Sequence, residues 1–369
     1  MRTGHYHLPR FERVRRELEE RIRHGVFHPG DPLPAEQELA ELFNVSRNTV
    51  RRAVALLEQD GWLCKHRGRV SWISGSAPAG RPPREPRKLA YFSNYLSTQI
   101  NSNMVYFELF NQFVAAAAER SLAVDFFSTD APDCWNTFIG NRSCYLSAFT
   151  VGVHRGNVSR GMFERLASLP ELIAIDEIED LPARHLVSMD NYEGGRLAAR
   201  HLLRCGCRNI VMLGGKKMIL PFQRRRAGFE DELKKHPRVR YRFTVFGGST
   251  YEQLQPGNID ELWQCICGAD GVFCYCDLLA LHVLAAAHYH NRHIPEDLSV
   301  IGFDGIAVGR HTCPKLTSVE HPARPVVEAA LELGAWLAGH PGAEPRKRLL
   351  PGRLLPGETT KILFKARKD

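Results

Sequence analysis

The chain has 369 residues, 44% of them apolar, and a formal charge of +8; it is too long for one ordinary core, so two or three domains are expected. No run of eighteen apolar residues occurs, and the basic N-terminus MRTGHYHLPRFERVRR has no apolar stretch behind it, so neither a membrane span nor a signal peptide is expected and the cytoplasm is the expected compartment. The charge is uneven: residues 1–88 hold 17 Lys and Arg against 11 Asp and Glu, and the rest hold 32 against 30, which points to a polyanion-binding module ahead of a near-neutral body.

Phe11, Val14, Leu18 and Ile22 recur at helical spacing and predict an amphipathic helix over residues 9–24, with Gly25 ending it. Pro34 can open a second helix, AEQELAELF, with Leu39, Leu42 and Phe43 on its apolar side. Asn44 breaks that helix, and Ser46 is a natural N-cap for a third from Arg47 to about Gln59. Two helices joined by a tight turn read as a helix-turn-helix. WLCKH and VSWI, around HRGR, are short strands of a hairpin wing. SGSAPAGRPPREPR has four prolines and no apolar periodicity, so residues 75–87 read as a linker between a first domain, 1–74, and a body, 88–369.

In the body, apolar strands alternate with helices. LAYFS, MVYFELFNQFVAAAAERS and AVDFFST come first, then YLSAFTV and LIAID. A helix from Tyr192 to Arg204, NIVMLGG, a helix from Arg225 to His236, RFTVFGG, GVFCYC, a helix from Leu278 to His290 and SVIGFD follow. That order predicts parallel sheets covered by helices, with ligands at the strand carboxyl ends. Cysteines within apolar segments, such as Cys205, Cys265 and Cys274, fit free thiols, and no cysteine pair has a histidine at finger spacing, so neither disulfides nor a metal is expected.

On the third helix, Val50, Ala53, Val54 and Leu57 face inward and Asn48, Arg52 and Ala55 face out, with Arg51 on the flank and Arg47 in the first turn. Arg47 and Arg51 lie one turn apart, so both guanidiniums can reach guanine edges or phosphates in one groove. Thr49 and the free N–H groups at the helix start can hold a phosphate oxygen. A surface helix with three arginines can also be a solvated face, but the turn, cap, wing and charge balance all favour DNA.

The body carries none of the usual hydrolase, zinc-protease or nucleotide-binding signatures, so neither catalysis nor a cofactor is expected. Asp176, Asp277 and Asp304 follow strands and Arg225 opens a predicted helix, while Tyr106 and Tyr251 offer rings. Carboxylates, a guanidinium and rings converging on one cleft suit a hydroxyl-rich ligand. Taken singly, each charge could equally be a cap or an ion pair, the tyrosines could be packing residues, and Cys276 a pocket wall or core thiol.

LPAEQELAELFNVSRNTVRRAVALLEQDGWLCKHRGRVSWI resembles the winged helix-turn-helix of GntR-type regulators. The resemblance places Arg47, Thr49 and Arg51 on that family's DNA contacts and Gly68 on its wing-tip glycine. Gln37 stands where an operator-contacting arginine is usual and could read adenine; Val70 replaces the second wing glycine, which bears on minor-groove contact by Arg69. VSMDNYEGGRLAARHLLRCGCRNIVMLGG, RRRAGFEDEL and IPEDLSVIGFDGIAVGRHTCPKLTSVEHP resemble the effector domain of LacI and GalR repressors. By position, Arg225 and Asp304 match effector-binding residues, Asp176 and Tyr106 match cleft positions, and Tyr251 lies near a stacking aromatic. Tyr275, Cys276 and Asp277 stand for an A-N-D segment, the cysteine replacing an amide that contacts ligand.

The implied fold class is α/β: an N-terminal winged helix-turn-helix plus a two-lobed periplasmic-binding-protein-like domain with parallel sheets and three crossovers. The first lobe would hold residues 89–187 and a return near 317–343, and the second 188–316 and the C-terminal strand. The implied function is a homodimeric repressor of double-stranded operator DNA with a small carbohydrate-like effector. A sugar-binding transport receptor, or an enzyme with a DNA-binding head, is the alternative.

Overall fold

The computed structural model of the chain describes residues 9–361 except 24–25, 29, 66–70, 75–87, 95–103, 178–179, 217–218 and 248–257. Gly25, the linker 75–87, the wing-tip residues Gly68, Arg69 and Val70, and Tyr251 therefore lie outside the described residues. The chain divides into two compact units, Met1–Pro86 with Asn136–Cys144, and Arg87–Trp135 with Tyr145–Asp369.

The first unit contains helices α1 (Arg10–Arg23), α2 (Glu36–Leu42) and α3 (Arg47–Gln59) and strands β1 (Leu63–Lys65) and β2 (Ser71–Ile73). Val14 and Leu18 of α1, Leu39 and Ala40 of α2, and Val50, Ala53, Val54 and Leu57 of α3 form one core with Leu33, Leu63 and Ile73. Leu42, expected inside, is 54% exposed. The buried arc of this two-turn helix runs from Leu39 through Phe43 to Ala40, and at about 100° per residue Leu42 falls outside it. Asn44 makes the turn with φ +49°, a conformation asparagine tolerates. Ser46 caps α3, its hydroxyl accepting from the Thr49 N–H at 3.3 Å. β1 and β2 pair antiparallel, Leu63 opposite Ile73, and the Leu33 N–H donates to the Ser71 carbonyl at 2.8 Å, which ties the segment before α2 to the wing.

The second unit holds two six-stranded sheets. Strands β3 (Lys88–Ser93), β4 (Ala123–Ser128), β5 (Tyr145–Val151), β6 (Ile173–Ile175), β7 (His185–Met189) and β13 (Lys347–Leu350) form the first, in the order β13-β7-β6-β5-β3-β4. Every neighbour pair in it is parallel. Strands β8 (Asn209–Gly214), β9 (Arg240–Val245), β10 (Gly271–Cys274), β11 (Ser299–Asp304), β12 (Thr317–Glu320) and β14 (Arg353–Leu355) form the second, ordered β14-β12-β11-β10-β8-β9. It is parallel except at β12 and β14.

Helices α4 (Met104–Glu119), α5 (Cys134–Ile139, from Asn136 on counted with the first unit), α6 (Arg160–Ala167) and α11 (Ala323–Ala338) accompany the first sheet in sequence. Helices α7 (Asn191–Arg204), α8 (Leu220–Leu233), α9 (Ile259–Ile266) and α10 (Asp277–Tyr289) accompany the second. Strands buried on both faces, such as AYFS in β3 and VIGF in β11, are what a helix-covered parallel sheet requires.

Two boundaries differ from expectation. The helix expected from Arg225 starts at Leu220 with Pro221 in its first turn, because proline's fixed φ suits that position and starts a helix there. Arg225 consequently sits in the second turn. The return to the first lobe was expected near 317–343, yet residues 317–320 are β12, paired with β11 of the second lobe. The returning elements are α11, whose Val326, Val327, Ala330 and Leu331 enter the first lobe's core, and β13.

The chain thus crosses between lobes after Met189, at His321–Pro322 and at Pro351–Gly352. These crossovers adjoin: the Asp190 N–H donates to the Leu350 carbonyl at 2.7 Å, and a Cβ on Gly352 would come within 2.3 Å of the Met189 methyl and 2.9 Å of the Glu320 carbonyl.

Candidate DNA interface and effector cleft

On the first unit, Gln37 projects from the first turn of α2, and Arg47 and Asn48 from that of α3; all three are exposed. Thr49 is half-buried, its hydroxyl 2.8 Å from that of Ser46. The other two arginines are engaged within the head. Arg51 forms a two-pronged pair with Glu36, at 3.1 and 2.8 Å, and the Arg52 guanidinium lies over the Phe11 ring, 3.9 Å from its centroid. Arg52 is exposed, as expected, and its guanidinium also makes a cation–π contact with α1. Glu36 was not singled out from sequence, because only the packing of α2 on α3 reveals that it reaches Arg51.

In the second unit, the carboxyl ends of the two sheets supply the polar groups. Arg225, 5% exposed, is fixed from four sides. Its Nε donates to the Asn191 side chain at 2.9 Å and a terminal nitrogen donates to the Tyr275 carbonyl at 2.6 Å. That nitrogen also lies 3.1 Å from Asp304 Oδ1, and the Phe303 ring sits 3.7 Å from the guanidinium carbon. Asp304 Oδ1 is buried without an aligned hydrogen bond, so the contact is one of charge, and the oxygen keeps a lone pair for another donor.

Backbone packing sets Arg225 in place. A Cβ on Gly195 would lie 1.9 Å from the Arg225 carbonyl oxygen, and one on Gly228 would lie 1.9 Å from that of Tyr192. Two glycines let α7 and α8 touch backbone to backbone.

Asp176 directly follows β6 and Asp304 ends β11, with φ +73° and +106°. Left-handed backbone at a residue with a Cβ is strained and concentrates at functional sites. Asp176 Oδ1 accepts from the Glu177 N–H at 2.9 Å and the Ser188 hydroxyl at 3.0 Å. Asp277, expected to meet ligand, has both oxygens occupied: Oδ2 accepts from the Ile306 N–H at 2.8 Å and Oδ1 pairs with the Ser318 hydroxyl at 2.6 Å. Its place is beneath the loop after Asp304, and Gly302 admits it, since a Cβ there would lie 2.1 Å from Oδ1.

Cys276 is buried in the second lobe's core, and burial, then the charge of Asp304, push its thiol up to about 12. Tyr106 is buried among the apolar residues of the first lobe, where it packs.

These groups share one electrostatic neighbourhood. Burial raises the Asp304 carboxyl to about 6, with Arg225 opposing and Asp176 adding to the rise. Burial raises Asp277 to about 8, Asp304 adding to it. Sequence reading missed His321, on the second crossover, within electrostatic reach of Asp176, Arg225 and Glu320; burial holds its imidazole down to about 4. Glu177 joins the lobes, contacting Lys347 of β13 and lying 3.9 Å from Arg224 of α8. Among the described residues, no group of three or more His, Cys, Asp or Glu is placed to hold a metal, and no helix is long and apolar enough to cross a membrane.

Comparison with known proteins agrees with this anatomy. Residues 10–71 match the bacterial regulatory proteins of the gntR family, and residues 199–360 match the periplasmic binding protein-like domain. The chain is 30% identical to the ribose operon repressor of Halalkalibacterium halodurans over 192 residues, which is 52% of this chain and 56% of that protein. It is 24% identical to the arabinose metabolism transcriptional repressor of the same organism over 329 residues, 84% of each. A LacI family transcriptional regulator from Enterococcus faecium, solved with bound ribose, superposes with a TM-score of 0.57 at 20% identity, covering 75% of this chain and all of that one.

A DNA-binding head joined to an effector-binding body defines a transcriptional regulator. Its head matches the gntR-family helix-turn-helix and its body the periplasmic binding protein-like domain.

Proposed function

We propose that the chain is a repressor that binds a pseudo-palindromic operator as a homodimer and is controlled by a small neutral sugar, or sugar derivative, in the cleft between its two lobes. The observation that carries this reading is the pairing of Arg225 with the strained Asp304 beside Asp176. It is a polar, buried constellation able to take several hydroxyls. Arg47, Asn48, Thr49 and Gln37, with Gly68 and Arg69 of the wing, would meet DNA, and Arg51 would join them by exchanging Glu36 for phosphate or guanine. Two heads per dimer would read two half-sites. The arabinose and ribose repressors among the relatives, and the ribose seated in the Enterococcus structure, support a sugar.

The test is to select duplexes from a random-sequence pool with the full chain, then titrate a mono- and disaccharide panel against the selected complex. One sugar should change the affinity, and Asp304→Asn should abolish that response. If each head neutralises about four phosphates, log K falls by roughly seven per log unit of salt. A salt-insensitive complex, or one unmoved by every sugar, refutes the respective half of the proposal.

A further inference from the structure

Charge within the second unit is as uneven as in the chain as a whole. Residues 204–242 hold 12 Lys and Arg against 3 Asp and Glu, whereas the other residues after 88 hold 20 against 27. The densest part is KKHPRVRYR, residues 234–242, with five Lys and Arg and no acid. The fold brings this charge to one margin of the second lobe. β9 stands at the end of its sheet, and its first residue, Arg240, pairs with Asn209 of β8. The Arg240 N–H donates to the Arg208 carbonyl at 2.7 Å. Tyr241 and Phe243 point toward α8, where they meet the Phe229 ring and the Arg226 guanidinium. Arg240 and Arg242 alternate with them and so share the opposite face. Arg238 stands two residues ahead, in the turn that enters the strand.

Arg208, Arg238, Arg240 and Arg242 are exposed, and among the described residues none of the four is ion-paired with a carboxylate. Lys234 and Lys235 differ, being matched by Asp231 and Glu232 at 2.7 and 2.9 Å. The arginines' acceptors are neutral. Arg240 Nε donates to Asn209 Oδ1 at 2.6 Å, and Arg208 donates to the Cys207 carbonyl at 3.1 Å. Arg242 donates to the Cys267 and Cys265 carbonyls, at the end of α9, at 2.6 and 3.3 Å. These bonds aim guanidiniums without neutralising them. A charge on an edge strand guards it against pairing with another chain, but one cation does that, and each further like charge adds repulsion.

We propose that this margin of the second lobe is a second nucleic-acid surface, which holds double-stranded DNA by its phosphates without reading sequence. Arg240 and Arg242 recur at about 6.6 Å, twice the strand rise, and each guanidinium can grip a phosphate with two parallel hydrogen bonds. A straight row of oriented arginines suits the regular line of charges along a duplex, whereas an acidic protein surface presents carboxylates in no such order. The contact adds a general affinity for DNA to the selective one of the head, and it vanishes with salt as counterion release requires.

The experiment uses the full chain in four forms. They are wild type, a head variant (Arg47→Ala with Arg51→Ala), the head variant with Arg238→Gln, Arg240→Gln and Arg242→Gln added, and the head variant with the same three changed to Lys. Binding of a labelled random-sequence duplex is followed by fluorescence anisotropy across a salt series. The head variant should keep measurable, salt-sensitive binding. The three Gln changes should weaken it at least about tenfold and flatten its salt slope by about two to three, at roughly 0.9 per lost contact. The Lys form, which restores the charge, should recover most of both. Should the triple Gln form not fold, Arg240→Gln alone in the head variant should flatten the slope by about 0.9.

If the head variant loses all duplex binding, the head is the sole DNA surface and the inference is overturned. Unchanged affinity and slope in the Gln form, with increased aggregation, makes the row an edge guard and overturns it as well. Poly-glutamate or phosphatidylglycerol vesicles that bind the head variant as tightly as duplex does, in a manner lost with the Gln changes, would assign the margin to an acidic protein or a membrane surface instead of DNA.

Discussion

Asp277→Asn separates a supporting role for that carboxylate from a ligand-binding one. The side chain is buried, with one oxygen on the Ile306 N–H and the other on the Ser318 hydroxyl, and burial, followed by Asp304, raises it to about 8. An unfolded aspartate titrates near 3.9. Between roughly pH 4 and 8 the folded chain therefore holds a proton that the unfolded chain has released, so stability falls as pH rises, by up to about 1.4 kcal/mol per unit. Asparagine has the same shape. Its oxygen can accept from Ile306 and its N–H can donate to Ser318, with no proton to lose.

From pH 5 to 8, Asp277→Asn should thus gain about 3–4 kcal/mol on wild type, a Tm difference that widens by roughly 2–4 °C per pH unit for a domain of this size. Thermal melts of both proteins at pH 5, 6, 7 and 8 check it. A difference that stays constant with pH, or grows in favour of wild type, refutes the reasoning. Effector affinity at pH 7 should change by less than about threefold, under 0.7 kcal/mol, because Asp277 is not free to meet ligand.

Glu36→Gln frees Arg51 and removes an anion from the DNA-facing side. Affinity for random-sequence duplex, followed by fluorescence anisotropy, should rise several-fold, and its salt slope should steepen by about 0.9. Thermal stability should barely change, because exposed pairs are worth little. Ser46→Ala removes the α3 cap at a cost of about 1 kcal/mol, and amide hydrogen exchange in the first turn of α3 should quicken by about fivefold. Gly195→Ala places a methyl where the Arg225 carbonyl lies; separating α7 from α8 should cost about 1–3 kcal/mol or more in thermal melts and weaken the sugar response while leaving DNA binding without sugar unchanged.

What was legible in the sequence was local. Ser46 could be assigned as a cap because its partner, Thr49, is three residues away, and α3's inward face followed from periodicity alone. Arg225 and Asp304 were found through motif positions, and the fold does bring them to 3.1 Å. The start of α8 was placed at Arg225 instead of Leu220, although Pro221 favours a helix's first turn.

Asp277 shows where strand-end reasoning stops. It correctly located the residue at the end of GVFCYC, but the partners that occupy its oxygens lie 29 and 41 residues further on. His321 was invisible for the same reason. A histidine before a proline has no periodicity to report, and only the three-strand crossover shows what surrounds it.

The position of the cleft explains how a ligand could act at a distance. The crossovers meet around Met189, Glu320 and Gly352, next to His321 and Asp304, so the groups proposed to contact ligand are continuous with the segments that join the lobes. Contact alone transmits nothing, since a ligand that binds both lobe arrangements equally shifts neither. A constellation split between lobes, with Asp176 on one and Arg225 and Asp304 on the other, can be complete in only one arrangement. A ligand that needs all three groups would bind the two arrangements unequally, and any effect it had on DNA affinity would be matched by an equal effect of DNA on the ligand.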